Sequence, residues 1–105
     1  MTAREIQDFI HLYSMFSFRD GRKESGIIVN KYNATDACVE YYFIGHCDMQ
    51  AYKAAFDNYD RETCNRLSEK ISIEDILAIR PVSLADYRII LQLIKERNQM
   101  QFFNN

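Results

Sequence analysis

The order of apolar and polar residues changes period several times along the chain, and the first periodic stretch is helical. Thr2 and Glu5 stand three residues apart at its start, which is the spacing of a capping box. The apolar residues that follow share one helical face, and they are Ile6, Phe9, Ile10 and Tyr13. The pattern predicts an N-terminal helix from about Ala3 to Tyr13.

The period then shortens to two residues, which is typical of β-structure. Phe16 and Phe18 alternate with polar residues. Gly21 lies in the following turn, where it can take a positive φ, and Gly26 begins an aliphatic run. These features predict a β-hairpin, and residues 38–46 predict a third strand.

Helical spacing returns at Asp48, a residue type that favours the N-cap position. The apolar positions after it are three and four residues apart, and they are Met49, Tyr52, Phe56 and Tyr59. Asp60 is a second candidate N-cap, for a helix that reaches Lys70. The pattern leaves open whether residues 48–70 form one helix or two.

Two short strands and a helix complete the predicted order. Ile71 and Ile73 alternate with polar residues, and a tight turn follows. The residues from Ile76 to Arg80 predict a last strand, which Pro81 ends because proline cannot donate to a ladder. A second capping box then opens a C-terminal helix that is predicted to reach about Asn98. Its apolar stripe consists of Leu84, Tyr87, Ile90, Leu91 and Ile94.

Together these elements predict an α+β protein. Five short, strongly bent strands suit a small barrel, because closure removes exposed strand edges. The N-terminal helix, a helical insertion over residues 48–70 and the C-terminal helix flank this barrel. The chain has 105 residues and is 48% apolar, which suits one domain over residues 1–105 with a single core.

The charge of the chain is nearly balanced, with 13 Lys and Arg against 15 Asp and Glu and a net charge of -2. Strong binding to phosphate groups is therefore not expected. The three cysteines are odd in number, and no signal peptide or membrane-spanning apolar run accompanies them. These features predict a cytoplasmic protein with reduced thiols and no membrane association.

The stretch "FRDGRKESGIIVNKYN" resembles the first strands of Sm-like proteins, a branch of the SH3-like small barrels. The residues at the matching places are Phe18, Asp20, Gly21, Arg22 and Gly26. The stretch "ISIEDILAIRP" is similar to the end of an SH3-like barrel, where two strands flank a one-turn helix. The resemblance covers about half of the chain and implies a five-stranded Sm-like barrel that follows an N-terminal helix.

The resemblance does not extend to the nucleotide pocket of the family. Sm-like proteins build that pocket from an Asn in the loop after the second strand and an Arg-Gly pair between the last two strands. This chain has Asn30 and Asn33 in the first loop, but the second loop reads "SIEDI". Two acidic residues there would repel phosphate. The barrel is therefore carried over to this chain, and the RNA site is not.

Four basic residues and a tyrosine in the hairpin are the candidate nucleic-acid contact: Arg19, Arg22, Lys23, Lys31 and Tyr32. A basic groove with an aromatic platform is a known way to bind single strands. Asp20 and Glu24 interrupt the basic residues, so a solvated hairpin surface is the preferred interpretation.

The aromatic residues of the helical insertion also have two interpretations. An amphipathic helix beside a barrel must bury its apolar stripe, so most of these residues are expected in the core. Any part of the stripe that the barrel cannot cover becomes a surface for a partner. Phe56 and Tyr59 are the predicted anchors of such a surface.

Catalytic and metal sites find little support in the sequence. No Gly-rich phosphate loop, Ser-His-Asp set or carboxylate pair can be proposed from spacing. Cys38, Cys47 and Cys64 have no short Cys-x-x-Cys spacing, and the first and last of them lie among apolar residues. The sequence predicts no catalytic residue, no metal, no cofactor and no small-molecule substrate.

The sequence therefore favours a non-enzymatic protein-interaction or assembly module that binds a protein partner or a second copy of itself. A weak nucleic-acid-binding Sm-like protein that uses the first hairpin is the alternative. A thiol or metal enzyme built around Cys47 is a third hypothesis.

Overall fold

The computed structural model describes residues 1–82, and the predicted C-terminal helix with Leu91 and Ile94 lies outside them. The helices of the described residues are α1 (Ala3–Ile6), α2 (Met49–Asp57) and α3 (Arg61–Leu67). The strands are β1 (Ser14–Phe18), β2 (Lys23–Asn33), β3 (Cys38–Gly45), β4 (Glu69–Ile71) and β5 (Ile76–Pro81). Short 3₁₀ turns occupy Gln7–Phe9, His46–Asp48 and Ile73–Asp75.

The strands form one antiparallel sheet in the order β4-β3-β2-β1-β5. This arrangement confirms the predicted α+β class and the five strands. The predicted closure into a barrel is not seen, because the sheet is open between β4 and β5 in residues 1–82. Strand β4 has only three residues, and a 3₁₀ turn follows it after one residue, so it is too short to build a ladder on its second edge.

The predicted hairpin is confirmed, and its turn shows why glycine is needed there. Gly21 has a φ of +92°, and its amide donates to the carbonyl oxygen of Phe18 at 3.0 Å. The Asp20 side chain accepts a hydrogen bond from the Arg22 amide at 2.9 Å. The turn therefore uses the left-handed freedom of one glycine and the capping carboxylate beside it.

Gly26 lies in the central strand β2, in a row of small residues that runs across β1, β2 and β3. It is paired with Ser14 on β1 and with Gly45 on β3. A Cβ atom at Gly26 would lie 2.2 Å from the carbonyl oxygen of Ile44 and 2.8 Å from the ring of Phe43. The absence of a side chain at Gly26 therefore allows the Phe43 ring to lie against the backbone of β2.

The core lies on one face of the sheet and is covered there by α1. Its buried side chains are Ile6, Phe16, Phe18, Ile28, Phe43 and Ile76. The Phe43 ring meets Phe16 edge to face at a centroid distance of 5.4 Å and Phe18 at 5.3 Å. Such aromatic pairs contribute beyond their burial alone, so the ring cluster is the centre of the core.

The N-terminal helix is shorter than the predicted span of residues 3–13. The capping box is confirmed, since Thr2 Oγ1 accepts the Glu5 amide at 3.2 Å. The α-helix nevertheless ends at Ile6, and the backbone takes an extended conformation at Ile10. The amide of His11 donates to the carbonyl oxygen of Ile28 at 2.9 Å. A hydrogen bond to the sheet thus replaces the last predicted helical turn.

The helical insertion consists of two helices, which answers the question that the sequence left open. Asp60 caps α3 as predicted, because its side chain accepts the Thr63 amide at 3.1 Å. The helix ends at Leu67 and does not reach Lys70. Residues 69–71 pair with β3 instead, so strand pairing ends the helix early.

Candidate functional site

The turn between α2 and α3 holds Tyr59 in an unusual backbone conformation. The Tyr59 amide donates to the carbonyl oxygen of Phe56 at 3.2 Å, and the Asp60 amide donates to that of Ala55 at 2.8 Å. These two bonds are those of a Schellman motif, which places Tyr59 at the position after the helix cap. Its φ is +57°, in the left-handed region where glycine is the usual residue.

A cavity of about 630 Å³ lies between this turn and the end of β2, and we call it the aromatic groove. Its aromatic lining consists of Tyr32, Tyr52, Phe56 and Tyr59. Its other lining residues are Lys31, Asp60, Arg61, Cys64 and Asn65. The structure therefore brings residues from both sequence-predicted sets, Lys31 and Tyr32 from one and Phe56 and Tyr59 from the other, to a single site.

Three aromatic side chains of the groove face solvent to a large degree. Tyr32 is 68% exposed, Phe56 is 67% exposed and Tyr59 is 92% exposed. Tyr52 is more buried, and its ring stacks on that of Phe56 at a centroid distance of 6.4 Å. Burial raises the pKa of the Tyr52 hydroxyl above its ordinary value.

A second cavity of about 520 Å³ continues along α2, and we call it the aliphatic groove. It shares Lys31, Tyr52 and Phe56 with the aromatic groove. Its remaining apolar lining consists of Ile27, Val29 and Met49. Phe56 therefore stands between two adjacent hollows, and the two together form an elongated apolar surface beside α2.

Polar contacts orient two charged lining residues of the aromatic groove, Lys31 and Asp60. Lys31 on β2 donates to Asn65 Oδ1 on α3 at 3.1 Å, and its ammonium lies 4.8 Å from the centroid of the Tyr42 ring. Asp60 accepts both the amide and the hydroxyl of Thr63, the latter at 2.6 Å. The hydroxyl of Thr63 holds the pKa of the Asp60 carboxyl below its ordinary value.

The basic residues of the first hairpin lie elsewhere and are largely engaged within the chain. Arg22 donates to both carboxylate oxygens of Glu69, at 3.0 and 3.4 Å, and lies 4.6 Å from the ring centroid of Phe18. The hydrogen bond that Arg22 donates to Glu69 raises the pKa of Arg22 above its ordinary value. Arg19 donates to the carbonyl oxygen of Glu74 at 3.0 Å. These guanidinium groups are already bound to protein oxygens.

The candidate nucleic-acid contact is thus divided between the two ends of β2. Arg19, Arg22 and Lys23 lie at the hairpin end, and Lys31 and Tyr32 lie at the other. Eight residues separate Lys23 from Lys31, which corresponds to about 26 Å of extended strand. The structure does not bring the five residues together as one basic groove.

The cysteines are unpaired, and they lie in different environments. Cys64 is buried, Cys47 is half-buried and Cys38 is exposed. The expected apolar surroundings of Cys38 are therefore wrong, because β3 leaves the core towards its N-terminal end, where Val39 is also exposed. Within residues 1–82, no three His, Cys, Asp or Glu side chains come together as metal ligands.

The sequence interpretation missed Arg61 as a lining residue of the aromatic groove and the meeting of Tyr32 with α2 and α3. The candidate N-cap at Asp60 indicates a turn before it, but the hydrophobic pattern does not distinguish Asn58 from Tyr59 as the left-handed residue of that turn. Asn takes that conformation more readily than Tyr, so propensity alone favours the wrong residue. Tyr32 on β2 meets residues of α2 and α3 at the aromatic groove only because segments that are distant in the sequence pack together.

Comparison of the chain with protein-family models, with curated proteins and with solved structures gives no match. Among residues 1–82, no helix is both long enough and apolar enough to cross a membrane. A proposal for the function of this protein therefore rests on the geometry of its own residues.

Proposed function

We propose that this protein is a non-enzymatic interaction module, and that its aromatic groove receives a protein partner. The observation that carries the proposal is the exposure of Tyr32, Phe56 and Tyr59 around one cavity. Phe56 and Tyr59 are the anchors that the sequence predicted. Their partner role is supported by this exposure and by their place on the same groove.

The physical argument is that clustered exposed aromatic groups gain the most free energy when a partner covers them. Aromatic side chains carry a large apolar area and lose little conformational entropy on binding. A contiguous apolar patch on a protein surface often marks an interaction site. The stacking of Tyr52 on Phe56 limits the motion of one anchor, which reduces the entropy lost on association.

The finer fold that suits this role is an SH3-like barrel of the Sm-like type that is left open between β4 and β5. Residues 72–75 join the two outermost strands of the sheet, and three of them are in a 3₁₀ turn that advances only about 2 Å per residue. Outer strands of a flat five-stranded sheet would be about 19 Å apart. The short connection supports a sheet that curls towards closure.

A backbone hydrogen bond that continues the pairing of β1 with β5 holds this connection beside the turn between β1 and β2. The amide of Arg19, in the turn between β1 and β2, donates to the carbonyl oxygen of Asp75 at 2.7 Å. Asp75 lies in the connection between β4 and β5.

We also place the protein in the cytoplasm, which its three unpaired thiols support.

Two other occupants of the groove are outcomes of the test. A second copy of the chain would make the module an assembly protein. A nucleic acid has less support, because Arg22 is bound to Glu69 and the basic residues of the hairpin are divided between two sites.

A selection experiment with a displayed peptide library tests the proposal directly. Random peptides of about 16 residues, long enough for about 24 Å of helix, are selected against the full chain. Selected peptides are synthesised, and their binding sites are mapped by chemical-shift perturbation. We expect the shifts to centre on Phe56 and Tyr59, and binding to be lost in Tyr59→Gly.

Leu77→Ala is the matched control, because Leu77 is exposed to a similar degree but lies on β5 and not on the groove. It should leave the binding of the peptides unchanged. Peptides that map to another surface, or that bind Tyr59→Gly as well as the original chain, would contradict the proposal. Light scattering over a hundredfold dilution and anisotropy with labelled single-stranded RNA distinguish the two other occupants.

A further inference from the structure

The charged groups along the two grooves are mostly cationic. Lys31 and Arg61 line the aromatic groove, and Lys31 and Lys53 line the aliphatic groove. Asp60 is the carboxylate among the lining residues of the two grooves, so three cations stand against one carboxylate there. The grooves therefore present positive charge beside apolar surface in a chain whose net charge is -2.

Arg61 stands out because its position in α3 is unfavourable for a cation. It is the first residue of the helix, where the backbone dipole favours acidic side chains and disfavours basic ones. Within residues 1–82 the structure records no ion pair for Arg61, whereas Lys53 pairs with Asp57 at 3.5 Å. The acidic residues on either side of it in the sequence, Asp60 and Glu62, form no ion pair with it within residues 1–82.

Tyr59 is the second residue whose placement costs stability, and it lies two positions before Arg61. Its left-handed backbone suits glycine, and its side chain is almost fully exposed. Residues that break local rules without a gain in the folded state concentrate at functional sites. The two neighbours both line the aromatic groove, so they combine an apolar ring with a cation at one place.

We propose that the partner binds through an acidic amphipathic segment. An aromatic or large aliphatic side chain of that segment fills the aromatic groove against Phe56 and Tyr59. Carboxylates beside it meet Arg61 and Lys31. This inference rests on the proposed function and adds the chemistry of the ligand, for which the complementary charge of the groove is the argument.

Charge also disfavours a nucleic acid as the occupant. Asp57 ends α2, Asp60 is the N-cap of α3, and Glu62 follows Arg61 on α3. A phosphate backbone would meet these carboxylates repeatedly along its length, whereas a short peptide can place its acids only opposite the cations.

The test uses the peptides selected on the aromatic groove, labelled for fluorescence anisotropy. We expect them to combine apolar residues with Asp or Glu, and to lose affinity when those acids are replaced by Asn or Gln. Arg61→Glu should weaken binding about tenfold, because it removes one ion pair and adds repulsion. Raising the salt concentration from about 50 to about 300 mM should weaken the binding of the original chain and have less effect on Arg61→Glu.

Lys23→Glu is the control, because it changes the net charge equally but lies at the hairpin end of β2, outside both grooves. It should leave the affinity within about twofold. Selected peptides that are neutral or basic, or an affinity that Arg61→Glu does not change, would overturn the inference while the groove remains a binding site. Failure to select any peptide that Tyr59→Gly loses would contradict the proposed function, and the inference with it.

Discussion

Arg22 and Glu69 form a two-point ion pair between the turn that precedes β2 and the start of β4, although β2 and β4 are not neighbours in the sheet. Nη1 of Arg22 lies 3.0 Å from Oε2 of Glu69, and Nη2 lies 3.4 Å from Oε1. Arg22 directly precedes β2, whereas Glu69 begins β4, and β3 lies between the two strands. The pair therefore joins the hairpin turn to one edge of the sheet and occupies the arginine that the sequence made a candidate nucleic-acid contact.

The first prediction concerns the strength of this pair. Both side chains are partly exposed, Arg22 to 38% and Glu69 to 53%, so solvent screens most of their attraction. A double-mutant cycle with Arg22→Met and Glu69→Gln should give a coupling energy of about 0.5 kcal/mol in urea unfolding. A coupling of several kcal/mol would contradict this prediction and show that the pair is not an ordinary surface contact.

The sequence predicted local elements well where hydrophobic period and capping chemistry agree, as at Thr2, Gly21 and Asp60. It failed where a distant segment competed for the same backbone. Helix α1 ends early because His11 bonds to Ile28, and α3 ends early because residues 69–71 join the sheet. Such competition cannot be read from periodicity, because the partner lies far away in the chain.

The same reason explains what the sequence missed in the groove. Phe56 and Tyr59 were predicted as anchors from their place on an amphipathic stripe. Tyr32 was assigned to a different site, because 24 residues separate it from Phe56. Only the packing of the insertion beside the end of β2 brings the two rings to one cavity.

The second prediction compares two glycines that are needed for different reasons. Gly26→Ala should destabilise the fold by about 3 kcal/mol, because the new methyl group would meet the Ile44 carbonyl oxygen and the Phe43 ring. Gly21→Ala has open space around it and only the left-handed backbone as a penalty, so about 1 kcal/mol is expected. Urea midpoints measure both values. Equal loss at the two positions would argue against the close approach of Phe43 to β2.

The third prediction concerns acid stability and the contact between Glu40 and Lys70. Lys70 Nζ lies 2.5 Å from Glu40 Oε2, and this hydrogen bond holds the pKa of the Glu40 carboxyl below its ordinary value. A lowered native pKa stabilises the fold above the unfolded value of about 4.3, and this contribution is lost as the pH falls through the native pKa. The melting temperature of Glu40→Gln should therefore fall less than that of the original chain as the pH drops below about 5.

Lys70→Met should also make the melting temperature fall less as the pH drops below about 5, because it removes the other partner of the contact. Asp60, whose pKa is also lowered, keeps part of the acid sensitivity in both variants. If the melting temperatures of Glu40→Gln and the original chain fell by the same amount from pH 7 to below pH 5, the contact would not form in solution.

The last prediction separates the structural cost of Tyr59 from its use. Because Tyr59 has a φ of +57° and a side chain that is 92% exposed, Tyr59→Gly should raise the free energy of unfolding by about 1 kcal/mol. Tyr59→Ala retains the same backbone penalty and should change it by less than about 0.5 kcal/mol. Urea unfolding of the three proteins gives the comparison. If Tyr59→Gly were less stable than the original chain, the ring would have to pack on the protein in solution, and Tyr59 would no longer be an exposed anchor. If Tyr59→Gly were more stable and also failed to bind the selected peptides, Tyr59 would lower the stability of the folded chain while contributing to binding.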